Sequence, residues 1–248
     1  MLKDKVIHVL ASSDNLDMYE VIVLKEGYCV SDGPGLMKAA GTITLLKGPQ
    51  NIMVDTGNPW DKQLILDGLE KHGLKPEQIS FVVCSHGHVD HVGNNNLFTN
   101  AVHIVCYDVC VGEQYMLHHF DKGIPYEIDD FVEVVPTPGH TGKDVSVIVR
   151  ETEKGTVAIT GDLFECFEDL REPSIWQDNS ENPEDQEANR IGMLQIADYI
   201  IPGHGPMFKV PESYKTQMQV VFYEEFTAIT PTGIISETSE YIVCDDMV

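Results

Sequence analysis

Apolar and polar positions divide the chain into short strands and two longer helical stretches. Three strands come early, at 19–28 (YEVIVLKEGY), 41–48 (GTITLLKG) and 51–55 (NIMVD). Pro49 and Gln50 separate the second from the third, which is hairpin spacing. The next run, TGNPWDKQLILDGLEKHGL, predicts a helix with Asn58 as N-cap and Pro59 at its first position. Leu64, Ile65, Leu66 and Leu69 supply its apolar face, and Gly73 marks its stop. Residues 79–84 (ISFVVC) are nearly unbroken apolar sequence, which predicts a strand buried on both faces. Strands follow at 101–107, 131–135, 144–151 and 155–162. A second helix over 183–199 carries Ile191, Leu194 and Ala197 and opens on acids suited to a helix N-terminus. Residues 199–205 form a short last strand ending in a turn. Strands first, then strands alternating with helices, predict an α/β fold of two sheets with helices outside. The chain, 1–248, reads as one domain with its core at about 19–210 and a less periodic extension at 211–248.

Composition adds limits. Hydrophobic residues make up 42% of the chain, enough for a substantial core. No apolar run approaches the roughly 20 residues of a membrane span. The opening MLKDKVIHVLASSDN has no small-residue cleavage site of a secretory signal. A cytoplasmic or nuclear protein is therefore expected, not a secreted one, with no membrane partner and with a homodimer left open. The chain has 16 Lys+Arg against 40 Asp+Glu, a formal charge of −24, which disfavours a broad nucleic-acid surface. Six cysteines are scattered without a C-x-x-C pair and read as reduced thiols.

The candidate chemistry is concentrated at strand ends. In VVCSHGHVDHVGN, His86, His88, Asp90 and His91 follow directly on an apolar run. PTPGHTG places His140 after a strand, AITGD ends on Asp162, and IIPGHG carries His204. Each apolar strand thus delivers a ligand to a glycine-rich turn, and strands ending on one rim would bring these side chains together. His86, His88 and His140 make one set of donors. Asp90, His91 and His204 make a second, and Asp162 is left to bridge them. Three imidazoles leave a tetrahedral ion one open position for water. Two such ions sharing a hydroxide and a carboxylate are a hydrolytic arrangement. Two divalent ions against two aspartates and a hydroxide leave about one positive charge, which suits an anionic substrate. Zinc is the expected metal, with iron or manganese as alternatives. Asp90 can also shuttle a proton to the leaving group, a catalytic role beside ligation.

These residues carry a resemblance. H-G-H-V-D-H at 86–91, with His140, Asp162 and His204, resembles the metallo-β-lactamase superfamily and its glyoxalase II-like members. NIMVDTGNPW, TPGHTGKDVSVIV, GTVAITGDLFE and ADYIIPGHGPMF extend the likeness over about 19–210. The resemblance implies an αββα sandwich with the metals at one edge. It implies that Asp55 supports the metal loop through hydrogen bonds without being a ligand. It also implies a metal-bound hydroxide as nucleophile, and an endoribonuclease acting on histone pre-mRNA. The alternative substrate is a small acyl ester or thioester of glyoxalase II type, which the acidic charge favours. A mononuclear iron oxygenase and a non-catalytic metal-binding scaffold are the remaining alternatives. Only 44 residues follow His204, with no clear basic cluster, and His204 is the last histidine. The first departs from glyoxalase II and the second from ribonuclease Z.

Three further side chains are candidate substrate contacts. His118 and His119, in EQYMLHHFDKG, can line a lid or simply lie on the surface. Trp176 sits in the acidic segment 162–187, which reads equally as a pocket wall, with Phe167, or as a solvated loop. His8, His72 and His103 read as structural.

Overall fold

The computed structural model describes residues 18–216. His8, Cys244 and most of the extension lie outside the described residues. The chain opens with β1 (Glu20–Lys25), followed by β2 (Tyr28–Ser31) and β3 (Met37–Ala40), which pair as a separate hairpin. Next come β4 (Ile43–Lys47), β5 (Ile52–Val54), α1 (Lys62–Lys71), β6 (Phe81–Cys84) and the short α2 (Val89–Val92). Strands β7 (Val102–Val105), β8 (Asp108–Val111) and β9 (Gln114–Met116) complete a seven-stranded sheet in the order β1-β4-β5-β6-β7-β8-β9.

The second half begins with β10 (Tyr126–Glu127), β11 (Val132–Pro136), β12 (Val145–Thr152) and β13 (Gly155–Gly161). The short α3 (Ser174–Gln177) and the longer α4 (Pro183–Ile196) precede β14 (Tyr199–Pro202), β15 (Phe208–Lys209) and α5 (Glu212–Thr216). These strands form a six-stranded sheet in sequence order. Both sheets are mixed: β5, β6 and β7 run parallel in the first, as do β13 and β14 in the second.

The alternation of side chains explains why the strands are apolar throughout. Leu46, Ile52, Val54 and Val83 point between the sheets, where they meet Val147, Val149, Val157, Ile159 and Ile201. Their neighbours Leu45, Met53 and Val82 point outward onto Ile65 and Leu69 of α1. Ile148, Ala158 and Ile200 point outward on the other side, onto Met193 and Leu194 of α4. Each central strand is therefore buried on both faces, and the layers read helix, sheet, sheet, helix. Fully burying one such Ile, Leu or Val contributes roughly 1.5–3 kcal/mol.

Several elements differ from their sequence reading. The predicted strand 19–28 is two strands broken at Glu26 and Gly27. A Cβ on Gly27 would sit 2.1 Å from the Gly203 carbonyl oxygen, so the turn packs directly on the loop carrying His204. The α1 N-cap is Asp61, not Asn58, and Pro59 precedes the helix in a turn. The Asp61 carboxylate accepts from the Asn58 amide at 2.8 Å and pairs with Lys25 at 2.6 Å, which fixes that turn and delays the helix to Lys62. Leu64 faces solvent, and α1 buries Ile65 and Leu69. The hairpin β4–β5 forms as expected. Helix α4 starts where expected, with the Asn182 side chain accepting from the Asp185 amide, but it ends at Ile196. The segment 162–187 is not a solvated loop throughout: it contains a 3-10 turn at Phe167–Leu170 and α3, packed on α4. No helix is long and apolar enough to cross a membrane among the described residues.

Candidate metal centre

The first sheet delivers four candidate ligands from the loop after β6, and the second sheet delivers three from the ends of β11, β13 and β14. They meet at one edge of the sandwich. His86 Nε2 lies 2.8 Å from His88 Nδ1, and His140 Nε2 lies 3.2 Å from the same atom. Nitrogens bonded to one tetrahedral zinc at 2.0–2.1 Å are separated by about 3.3 Å, so these three atoms already stand at ligand spacing. Asp162 Oδ2 joins them, 3.5 Å from His86 Nε2 and 3.3 Å from His140 Nε2.

The second set gathers on the other side of Asp162. His91 Nε2 is 3.3 Å from Asp162 Oδ1, and His204 Nε2 is 3.2 Å from Asp162 Oδ2. Asp90 Oδ2 is 4.0 Å from His91 Nε2 and 3.9 Å from His204 Nε2. Asp162 is thus the one side chain within reach of both sets. A Cβ on Gly203 would fall 1.9 Å from Asp162 Oδ1, so only glycine lets the β14 loop approach this carboxylate.

A framework orients the rings. Asp55 Oδ2 accepts from His91 Nδ1 at 2.7 Å and from Ser85 Oγ at 2.9 Å, and Asp55 Oδ1 accepts from the Ser85 amide at 2.7 Å. Ser85 Oγ is also 3.1 Å from His86 Nδ1. His204 Nδ1 donates to the Ala40 carbonyl at 3.2 Å, tying the ring to the β2–β3 hairpin. With their Nδ1 atoms so engaged, His86, His91 and His204 turn Nε2 toward the cluster. Asp55 itself adopts φ 56°, a left-handed conformation costly for a non-glycine residue and held here by these bonds.

Four buried atoms of the cluster's side chains have no hydrogen-bond partner: Asp90 Oδ2, His91 Nε2, Asp162 Oδ1 and, on the far side of its ring, His140 Nδ1. Leaving a buried donor or acceptor unpaired costs about 1–3 kcal/mol each, more for a charge. Convergent orphaned atoms of this kind, on imidazole and carboxylate, are what a pair of divalent cations would satisfy. The donor set therefore fits the metals that the sequence implies.

The protonation states agree. Burial, then the neighbouring His91, drives the His86 pKa well below its ordinary value, and burial lowers His140 likewise. Burial opposes a cation at His91 too, but Asp162 and Asp55 override it and hold its pKa well above the ordinary value. At His204 burial is again overridden, chiefly by Asp162, and the pKa rises to about 9. Asp162 is held well below the usual carboxylate range, because His91, His204 and His86 outweigh its desolvation.

The remaining candidates lie elsewhere. His118 Nε2 donates to the Ile124 carbonyl at 3.0 Å and its ring packs on Phe120 and Tyr126. His119 is exposed beside Asp121, at 3.8 Å. Neither belongs to the cluster. Trp176 lies away from the cluster, 3% exposed and stacked on the Arg190 guanidinium. His103 donates Nε2–H to the Phe98 carbonyl, a structural role, and His72 ends α1. The described cysteines are all unpaired thiols.

Sequence reasoning missed two residues. Ser85 joins Asp55, His86 and His91, and its only signal is its place just before the motif. Glu165 is 4% exposed, with Oε2 3.8 Å from His204 Nε2; burial and then Asp162 push its pKa up to about 8.

Layers, ligand rim and donor set define a metal-dependent hydrolase fold, and the chain belongs to the metallo-β-lactamase superfamily. The profile of that superfamily matches residues 39–123. Over 194 residues the chain is 46% identical to metallo-β-lactamase domain-containing protein 1 of Xenopus laevis, covering 77% of this chain and 82% of that one. Two solved structures share the fold. One is a Thermotoga maritima protein assigned to the metallo-β-lactamases, with TM-score 0.58 and 23% identity over 77% of this chain and 99% of that one. The other is an N-acyl homoserine lactone hydrolase with its product bound at the catalytic metal centre, with TM-score 0.54 and 21% identity over 72% of this chain and 87% of that one.

Proposed function

We propose that this protein is a two-ion hydrolase that cleaves RNA phosphodiesters. The observation that carries the hydrolase reading is the shared Asp162, standing between two sets of converging ligands with buried orphaned atoms on it, on His91 and on Asp90. Divalent ions held there, zinc foremost at the three-imidazole set, supply an activated water and stabilise negative charge in the transition state. The chain's own groups do the rest. Asp90 would accept the water proton and return it to the leaving oxygen. Asp55 and Ser85 hold the His86 and His91 rings against rotation. His88 is the exposed ligand and marks the side from which a substrate enters.

The choice of RNA rests on the resemblance of the motifs at 51–60, 85–94 and 137–149. A second reading, a small acyl ester, lactone or thioester, is favoured by one observation. Glu165 adds a third carboxylate beside Asp90 and Asp162, which cancels the residual positive charge of a two-ion site and weakens its draw on a polyanion. The lactone hydrolase that shares the fold acts on such an acyl group.

Purified, metal-replete protein tested on labelled single-stranded RNA and on a panel of esters, lactones and thioesters separates the two. RNA cleavage should fall steeply with salt, with a binding slope of about −0.7 per phosphate contact, and should vanish in His86→Ala. Intact RNA at low salt, together with ester turnover that His86→Ala abolishes, would transfer the assignment to the acyl reading.

A further inference from the structure

Glu165 lies on the turn that leaves β13, just beyond Asp162. A carboxylate this deeply buried ordinarily faces a base or several donors. Here its Oε2 looks onto His204 Nε2 at 3.8 Å, too far for a hydrogen bond. Its backbone is fixed on both sides. The His204 amide donates to the Glu165 carbonyl at 2.8 Å, and the Glu165 amide donates to Asp169 Oδ2 at 2.7 Å. Asp169 is in turn clamped by Arg190 of α4, at 2.7 and 3.0 Å. The backbone that carries this carboxylate is therefore held by the second sheet and α4.

Ligand atoms of Asp162, Glu165 and His204 all lie within 4.8 Å of one another, a spacing that one cation can span. Asp162 Oδ1, on a member of this group, and His91 Nε2, 3.3 Å from it, are buried and have no partner.

We propose that Glu165 is a ligand of the ion on the His204 side, so that the two metal positions differ in kind. The position at His86, His88 and His140 is rich in nitrogen, with Asp162 as its one carboxylate. The position at His204 draws on two overlapping sets, Asp90 with His91 and Asp162 with Glu165, and so has three carboxylates around it. Imidazole sets suit zinc, whereas carboxylate-rich sets suit harder ions such as manganese. The pair therefore loads asymmetrically, with zinc at the nitrogen-rich position and Mn2+ or Fe2+ competing well at the other. This rests on the two-ion reading above.

The test is metal content and affinity of the full chain, not turnover. Metal-stripped protein is titrated with Zn2+ and Mn2+ separately and together, with bound metal counted by mass spectrometry and Mn2+ by electron paramagnetic resonance. Wild type should bind two ions and, offered one equivalent of each, form the mixed Zn/Mn protein. Glu165→Gln should bind the second Mn2+ about tenfold or more weakly while one Zn2+ binds as in wild type. Glu165→Asp should fall between the two. Equal Mn2+ binding in wild type and Glu165→Gln would overturn the proposal. If Glu165→Gln does not fold, the wild-type mixture decides: two zinc ions displacing all manganese would overturn it. A wild-type protein that binds fewer than two ions under any condition would instead remove the two-ion reading, and this inference with it.

Discussion

Asp55 Oδ2 accepts a hydrogen bond from His91 Nδ1 at 2.7 Å, while the other oxygen of the same carboxylate holds the Ser85 amide at 2.7 Å. One buried side chain on the first sheet thus fixes both the start of the ligand loop and the ring that reaches Asp162. Outer-shell carboxylates of this kind are worth about 10–100-fold in metal affinity. Asp55→Asn should lose affinity by that factor on the His91 side, read by competition with a chromogenic chelator. Wild-type affinity in the variant would show that the loop holds its shape without Asp55.

Asp162 has a different expected signature because it touches both sets. Asp162→Ala should lower the occupancy of both ions, whereas Asp90→Ala should chiefly lower one. Metal-to-protein ratios after dialysis distinguish the cases. Full double occupancy in Asp162→Ala would remove the bridging role.

The protonation pattern makes metal loading depend on pH in a defined direction. In the metal-free fold His204 titrates near 9 and His91 is also raised. A raised folded pKa contributes stability fully present below the unfolded value of about 6.5 and lost as pH rises through the folded value. The metal-free protein should therefore lose thermal stability between about pH 6.5 and pH 9. Ions displace the same protons, so Zn2+ binding near pH 7.5 should release protons and tighten as pH rises. Calorimetry in two buffers of different ionisation enthalpy measures the release directly, and identical apparent heats in both would contradict it.

Arg190 gives a test of the scaffold alone. It forms a bidentate bond to buried Asp169, donates to the Leu163 carbonyl at 2.7 Å, and lies over the rings of Phe164 and Trp176 at 4.1 and 4.7 Å. Removing one partner of a buried pair strands the other charge, at a cost of about 3–5 kcal/mol. Arg190→Ala should shift the urea midpoint accordingly. A shift equivalent to less than about 1 kcal/mol, the scale of an exposed pair, would mean that Asp169 finds water instead.

The converging histidines and aspartates were legible in the sequence because each follows an apolar strand and sits at a glycine turn. Local pattern and final position coincide there. The two-sheet architecture was legible for the same reason, since strands buried on both faces leave continuous apolar runs such as Val82, Val83 and Cys84. What was not legible depends on distant partners. Glu165 lies in an acidic run that reads as solvated, and its burial is set by α4 and by the loop carrying His204. Trp176 reads as a free aromatic until Arg190 arrives from α4. The β2–β3 hairpin escaped because both strands are largely exposed, with Tyr28, Val30 and Met37 open to solvent, so burial imposes no alternation on them. Asn58 looked like a cap because Pro59 follows it, but Asp61 outcompetes it through Lys25.

The division of ligands between the two sheets has a consequence for biosynthesis. His86, His88, Asp90 and His91 emerge from the ribosome early, and His140 and Asp162 follow. His204 comes only with the loop after β14, once nearly all of the described fold has been made. Domains fold as units during synthesis, N-terminal parts first. The growing chain therefore carries His86, His88, Asp90 and His91 before His204 has been made, so a position that uses His204 can close only late in synthesis. An ion held there would be acquired late, from whichever ions are present once the loop after β14 has been made.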